Sequence, residues 1–309
     1  ADESDKSFTY LDPTSVLVTN IEADHLDHYS GLDEIYQLFG DFMGSVHEDG
    51  CCVVCGEDAG LVETAKKTGK KVLTYGFSEE CDTVVSQYET HGVSISFTVT
   101  LPDGTVLPCS IKQNPGRHNA LNAAGVLTLL MTRGVDMQKA AEALSGFMGV
   151  RRRFDLVGEA DGVTILDDYA HHPTEIAATI AAAKELDFKR VCVVFQPHRY
   201  SRIRLFTEVL KDEFGKAFDQ ADMVTFLDVY PAGETPVPGV TGRTFMQPIY
   251  DNPNHPADLN YVDRRMQVVP FLVEKLQPGD LIITMGAGDV TSVGPELLAA
   301  LQEREKSRK

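Results

Sequence analysis

Residues 163–199 read VTILDDYAHHPTEIAATIAAAKELDFKRVCVVFQPHR. An apolar run ends on the doublet Asp167-Asp168, a polar cluster follows, and a helix starts at Pro173. Proline suits a first helical turn because its missing N–H has no partner to lose there. KRVCVVF then reads as a second buried strand, ending on Gln196-Pro-His198-Arg199. Strand, helix, strand at this spacing is the building unit of a parallel sheet with helices on its faces.

The same alternation continues on both sides. Downstream come a helix from about 201, the strand ADMVTFL, helices near 241–248 and 263–275, the strand DLIITMG and a helix to about 303. Upstream, two strands near 153–159 and 163–167 follow the small-residue break from Gly146 to Gly149. Residues 150–309 are therefore predicted to form a Rossmann-like, doubly wound domain. Residues 1–149 read as a separate α/β domain. SVLVTN (15–20), CCVVC (51–55) and KVLTYG (71–76) are parallel strands, with helices over 31–47 and after the second strand. From about 81 to 111 the pattern alternates around Pro102-Asp103-Gly104, which predicts antiparallel strands and a hairpin. Helices from Pro115-Gly116 to about 132 and over 136–145 follow. The fold class is α/β: a parallel sheet with an antiparallel hairpin region, then a doubly wound domain. No internal repeat is visible.

Composition narrows the function. The 309 residues are 43% hydrophobic and 24% charged, enough apolar material for two cores. The net charge of −18 repels phosphate backbones and anionic lipid, which argues against nucleic-acid and membrane partners. A phosphorylated ligand would need locally clustered cations, and arginines do cluster at 151–153 and 199–204. No apolar run approaches the ~20 residues of a membrane helix. ADESDKSF carries no signal-peptide pattern, so a cytoplasmic location is expected. Cys51, Cys52, Cys55 and Cys192 sit in strand-like runs and read as core, although Cys52 and Cys55 form a C-x-x-C.

Ligands of doubly wound folds bind beyond the carboxyl ends of the strands. Three places there carry chemistry. Asn20-Ile-Glu22-Ala-Asp24-His25 packs titratable groups after a strand, as a metal or phosphate site or as an acidic solvated loop. Asn114-Pro-Gly-Arg117-His118-Asn119-Ala-Leu-Asn122 opens a helix whose free N–H groups favour an anion. Asn119 and Asn122 share one face and suit the edge of a base, or are plain surface asparagines. The densest place joins Arg151-Arg152-Arg153-Phe-Asp155, Asp167 to Glu175, and Gln196 to Arg204. Two strand ends there present histidine and arginine together, and bidentate arginine suits carboxylate or phosphate. Thr174-Glu175 also fits a helix cap. Gly286-Ala-Gly288 is a glycine turn, either a ligand approach or only a turn.

ADESDKSF, TNIEADHLDHY, PGRHNALNA, RRRFD, DDYAHHPTEI and FQPHRYSR, in this order, resemble the Mur ligases over nearly the whole chain. The details most resemble the alanine-adding branch: no lysine lies between Lys6 and Lys66, where other branches use a carbamylated one. The resemblance implies ATP-driven joining of L-alanine to UDP-N-acetylmuramate through an acyl phosphate, with Mg2+, in peptidoglycan precursor synthesis. It makes 1–149 the later part of a central ATP-binding domain and 150–309 the C-terminal ligase domain. It implies that His25 serves a magnesium site and that Asn119 and Asn122 face the nucleotide base. Arg153 and Asp168 would act on ATP and hold the active geometry, with Tyr169 near the nucleotide. His171, His198, Arg199 and Arg202 would face the muramoyl group and the alanine carboxylate. The family's phosphate loop has no counterpart, since no G-K-[ST] occurs and Gly69-Lys70 precedes Lys71. The expectation is a chain that starts just past that loop and is inactive alone. A murein-peptide recycling ligase and a non-catalytic nucleotide-binding module are the alternatives.

Overall fold

Two apolar clusters on opposite faces of one sheet organise the first half of the chain. In the computed structural model, which describes residues 4–23, 26 and 28–308, this sheet has the order β1-β2-β3-β4-β5-β6. β1 (Val16–Val18), β2 (Cys52–Cys55), β3 (Val72–Gly76) and β4 (Thr83–His91) run parallel; β5 (Ser94–Thr100) and β6 (Val106–Ile111) close it antiparallel. α1 (Leu32–Gly44) and α2 (Ala59–Lys67) cover one face, over Val16, Val18, Cys52 and Val54. α3 (Arg117–Thr132) and α4 (Met137–Ser145) cover the other, over Cys51, Val53, Cys55 and Tyr75. Strand side chains alternate, so Cys52 and Cys55 belong to opposite faces and serve as core on each. Burial pushes the Cys52 thiol up to about 11.

β3 and β4 pair parallel although only residues 77–82 link them; such neighbours usually need a crossover of a dozen residues. The pairing is brief, Tyr75 with Thr83 and Gly76 with Val84. The Asp82 carboxylate accepts from the Thr74 N–H at 2.8 Å and its hydroxyl at 2.9 Å, stapling the loop. The hairpin expected at Pro102-Asp103-Gly104 is present, with Gly104 at φ +83°.

The chain divides into two units, Ala1–Met148 and Gly149–Lys309. The second is a six-stranded sheet in the order β11-β10-β9-β12-β8-β7. Its strands are β7 (Asp155–Ala160), β8 (Val163–Asp168), β9 (Arg190–Phe195), β10 (Met223–Leu227), β11 (Asp258–Val262) and β12 (Asp280–Met285). All pair parallel except β7 at one edge. β11 was not expected. Its DLNYV is short, mostly half-buried and at the other edge, so it lacks the apolar run of the inner strands. α8 (Arg265–Lys275) and α9 (Val293–Arg308) pack on one face. α5 (Pro173–Lys184), α6 (Lys211–Lys216) and α7 (Gly242–Asp251) complete the unit.

The single helix expected from about 201 is instead a 3-10 turn (Tyr200–Arg202), a π-helical turn (Leu205–Val209) and α6. The aromatic core gives the reason. A π turn absorbs one residue, so positions eight apart share a face as positions seven apart do in an α-helix. Phe206 and Phe214 thereby stack at 4.7 Å with a 10° interplanar angle. Phe214 also meets Phe195, Phe218 and Phe226. Phe214→Ala is expected to cost about 3–5 kcal/mol, read as a lower urea midpoint for the second unit; an unchanged midpoint would show that this cluster does not set its stability.

Candidate active site

The strand order places the candidate site. After β9 the chain winds outward to β10 and β11, then returns to insert β12 between β9 and β8. The carboxyl ends of β8, β9 and β12 therefore lie side by side, the place where an open α/β sheet forms its crevice. Met285 pairs with both Asp168 and Phe195, so the residues that follow emerge together.

Asp167 and Asp168 close β8 and are both 4% exposed. Asp167 accepts from Thr284 Oγ1 at 2.6 Å, Thr291 Oγ1 at 2.7 Å and Arg152 Nε at 3.0 Å. Arg152 also donates Nη2 to the Gly286 carbonyl at 2.6 Å. Asp168 accepts from the N–H of Phe154 and of Ala170, each at 2.8 Å. Those bonds hold a strained lead-in turn: Arg152 at φ +60° and Phe154 at φ +53° are left-handed, on the order of 1–3 kcal/mol each. The Tyr169 N–H donates to the Arg152 carbonyl at 2.6 Å, locking the turn onto the strand end.

Glu175 both caps α5 and fixes a cation. Its Oε2 accepts from the N–H of His171 at 3.1 Å and of His172 at 3.3 Å, while Oε1 accepts from Arg153 Nη1 at 3.2 Å. Arg152 and Arg153 lie 4.9 and 5.8 Å from the Tyr169 ring centroid. Tyr169, His171 and His198 then form a chain of edge-on rings, 5.2 and 5.7 Å apart. His171 Nδ1 is 3.0 Å from the Tyr169 carbonyl. A carbonyl only accepts, so Nδ1 carries the proton and the lone pair of the neutral ring is on Nε2.

His198 and Arg199 follow β9. His198 bridges to Tyr230, the Arg199 N–H donates to the Tyr230 carbonyl at 2.8 Å, and Arg199 is left-handed at φ +65°. Among the described residues, His198 Nδ1 and Arg199 Nε are buried without a hydrogen-bond partner. Such atoms are costly unless a ligand completes them. Gln196, Asp228, Tyr230, Asp263, Arg265 and Asp289 line a cleft of about 180 Å3 along the same edge. The glycine turn is settled by packing: a Cβ on Gly288 would come within 2.4 Å of Gln196 Oε1, and one on Gly286 within 2.6 Å of the Gln196 carbonyl oxygen.

Seven of the residues singled out in the sequence thus meet on one sheet edge: Arg153, Asp168, Tyr169, His171, His198, Arg199 and Arg202. Asn119 and Asn122 lie on α3 of the other unit. Asn119 Nδ2 donates to the Pro115 carbonyl at 3.0 Å, and Asn122 is exposed. His25 falls outside the described residues. Asp167, Arg152 and Glu175 were not assigned a site role from sequence, although the Asp-Asp doublet and the Arg-Arg-Arg run were legible signals.

Known proteins place this architecture. Residues 2–130 match the family model of the Mur ligase middle domain, and residues 152–288 that of the Mur ligase glutamate ligase domain. The chain belongs to the Mur ligase family. It is 43% identical over 314 residues to the UDP-N-acetylmuramate–L-alanine ligase of Thermobifida fusca, covering 97% of this chain and 64% of that protein. The corresponding ligase of Pelotomaculum thermopropionicum is 41% identical over 310 residues, covering 99% and 65%. A crystal structure of the UDP-N-acetylmuramate–alanine ligase of Thermotoga maritima superposes with a TM-score of 0.75 at 25% identity, over 100% of this chain and 63% of that one. The chain thus spans just under two thirds of these relatives.

The electrostatics of this Mur ligase site separate its acids. Burial pushes Asp168 up to about 6, against its two N–H donors and the nearby Arg153. Burial also raises Glu175, but the charges of His171 and Arg153 and the His171 N–H outweigh it and hold the carboxyl below its usual range. Burial, then Arg202, His171 and Arg199, push His198 down to about 4, so its ring is neutral near pH 7. The linkage sign for Asp168 follows from its ordinary value of about 3.9. Between about 4 and 6 the folded state keeps a proton that the unfolded chain has released, so stability falls as pH rises through this window and levels off above it. Urea midpoints measured across that range are expected to show this fall, and to show less of it in Asp168→Asn; equal slopes would mean that Asp168 ionises normally.

Proposed function

We propose that the chain supplies the ATP-using and amino-acid-receiving parts of a UDP-N-acetylmuramate–L-alanine ligase. The observation that carries this reading is the cationic ring-lined edge formed by Tyr169, His171, His198, Arg199 and Arg202 in a chain of net charge −18. Its orphaned His198 Nδ1 and Arg199 Nε ask for an anionic or polar ligand. The alanine-ligase relatives at 41–43% identity give that ligand its chemistry.

The substrate carboxylate is a poor electrophile. Phosphoryl transfer from ATP turns it into an acyl phosphate; the amine of L-alanine then attacks, and the tetrahedral intermediate expels phosphate. In this reading Arg199 and Arg202 take the alanine carboxylate and orient the amine. His171 Nε2 takes the amine proton. Its Nδ1 lies 3.5 Å from Glu175 Oε2, which favours the imidazolium that forms. His198, held neutral by burial and its cationic neighbours, hydrogen-bonds without taking the proton. Arg153, fixed by Glu175, neutralises phosphoryl charge. Asn119 and Asn122 take the base: Asn119 spends its amide hydrogens on the Pro115 turn and leaves Oδ1 to accept. For Mg2+ the donor types fit in part: Glu22 and Asn20 carry oxygens just beyond β1, where Asn20 Nδ2 donates to Glu22 Oε1, whereas a histidine nitrogen is an atypical magnesium ligand. With His25 they would hold an ion whose chemistry is to neutralise phosphate charge.

The test is phosphate release from ATP that depends on both UDP-N-acetylmuramate and L-alanine. It is run on the chain alone and on a chimera in which the chain replaces its matching segment of the Thermobifida fusca relative. Turnover is expected only in the chimera, with L-alanine preferred to a murein tripeptide; tripeptide preference would move the reading to a recycling ligase. In the same assay His171→Gln is expected to lower kcat about 100-fold and abolish the acidic limb of the pH-rate profile, within the usual range for general base loss. His198→Gln should keep that limb. An unchanged profile in His171→Gln removes the proton role.

A further inference from the structure

We propose that Glu234 is a positioning residue: reaching back from the loop after β10, its carboxylate grips Ser201 and fixes the turn that carries Arg199 and Arg202 toward an amino-acid carboxylate. The inference rests on the L-alanine reading of those arginines.

The turn has little stability of its own. It is a three-residue 3-10 turn entered through the left-handed Arg199. Short 3-10 turns have poor hydrogen-bond geometry, so external ties decide where their side chains point. Upstream, the tie is the exchange between strand ends: Tyr230 N–H to the Pro197 carbonyl at 2.9 Å and Arg199 N–H to the Tyr230 carbonyl at 2.8 Å. Downstream, it is Glu234. Oε2 accepts from the Ser201 N–H at 3.0 Å, and Oε1 from the Ser201 hydroxyl at 2.6 Å.

The loop is shaped for this reach. Ala232 at φ +50° and Gly233 at φ +86° are both left-handed, and the Glu234 N–H closes on the Pro231 carbonyl at 3.0 Å. Residues 232–239 are exposed except Glu234, which is half-buried. A solvated loop gains nothing by burying one carboxylate unless the carboxylate is used. Its charge is used as well. Burial raises Glu234, but the Ser201 bonds, the Tyr200 N–H and the charge of Arg199 hold it below its usual range. A fixed anion here offsets the mutual repulsion of Arg199 and Arg202 before a ligand carboxylate arrives.

The 309-residue chain is titrated with L-alanine while the histidine-ring NMR signals are followed; ethylamine, which lacks the carboxylate, is the control. The unsubstituted chain is expected to show saturable shifts of His171 and His198 with L-alanine alone. Glu234→Ala should weaken L-alanine binding about tenfold through misplacement of the two arginines. Glu234→Gln, which keeps both bonds by donating its amide to the Ser201 hydroxyl, should stay within about threefold. Ser201→Ala, a change at an exposed residue, should weaken binding about threefold and carries the test if Glu234→Ala fails to fold. Binding as tight as that of the unsubstituted chain in Glu234→Ala, or in Ser201→Ala where it alone folds, overturns the role of Glu234. No response of the unsubstituted chain removes the alanine reading itself, and the proposal with it.

Discussion

The second unit depends on a buried carboxylate that is fully engaged. Asp167 joins the end of β8 to β12 through Thr284, to the turn before α9 through Thr291, and to the lead-in turn through Arg152. Taking such a charge out of water costs several kcal/mol unless donors replace the lost hydration. Here three donors do so, and Arg152 extends the network to the Gly286 carbonyl. The pair is better understood as fixing geometry than as adding net stability, because a buried ion pair often breaks even against an apolar one. What it fixes are the ends of β8 and β12 against the lead-in turn, at the edge where β9 also ends.

The meeting of the three strand ends follows from topology. A chain that winds outward and returns to a central slot leaves a gap where neighbouring strands connect to opposite sides. β12 fills the slot between β8 and β9, and the segments after those three strands share the edge. The two glycines after β12 let Gln196 close in, and Gly288 also admits Tyr230, since a side chain at Gly286 would overlap Gln196 and one at Gly288 would overlap both. The same edge collects Arg152, Arg153, Arg199 and Arg202 in a chain with a large acidic excess. Local cation density therefore comes from strand order, whereas overall charge governs only long-range encounter.

The sequence made the inner strands and the helices packed on them legible, because buried parallel strands are near-continuous apolar runs rich in β-branched residues. β9, β10 and β12 are of this kind. It failed where burial is partial or where side-chain packing overrides period. β11 is half-buried and at an edge, and the π turn before α6 exists to stack Phe206 on Phe214. At the site, the residues that would touch ligand stood out as clusters after strands. The residues that hold them were less legible: Asp167 and Glu175 stood in those clusters without an assigned role, and Glu234 did not stand out. Asp167, Glu175 and Glu234 act on partners 15 to 124 positions away or across a helix cap, and no local pattern reports the long-range contacts.

Glu175 and Asp168 show how one site assigns different tasks to two acids of similar intrinsic strength. Asp168 accepts hydrogen bonds from two backbone N–H groups, and burial outweighs these and the charge of nearby Arg153, raising it to about 6; its work is to hold the strained turn at Arg152–Phe154. Glu175 faces Arg153 and His171, so it stays ionised and works on side chains. It does this from the first turn of α5, where a carboxylate is also favoured by the helix dipole. The cap that starts the helix is therefore the group that orders the cation and the imidazole. A substitution that only loosened the cap would still move Arg153 and His171, so stability of the helix start and geometry of the site are not separable at this residue.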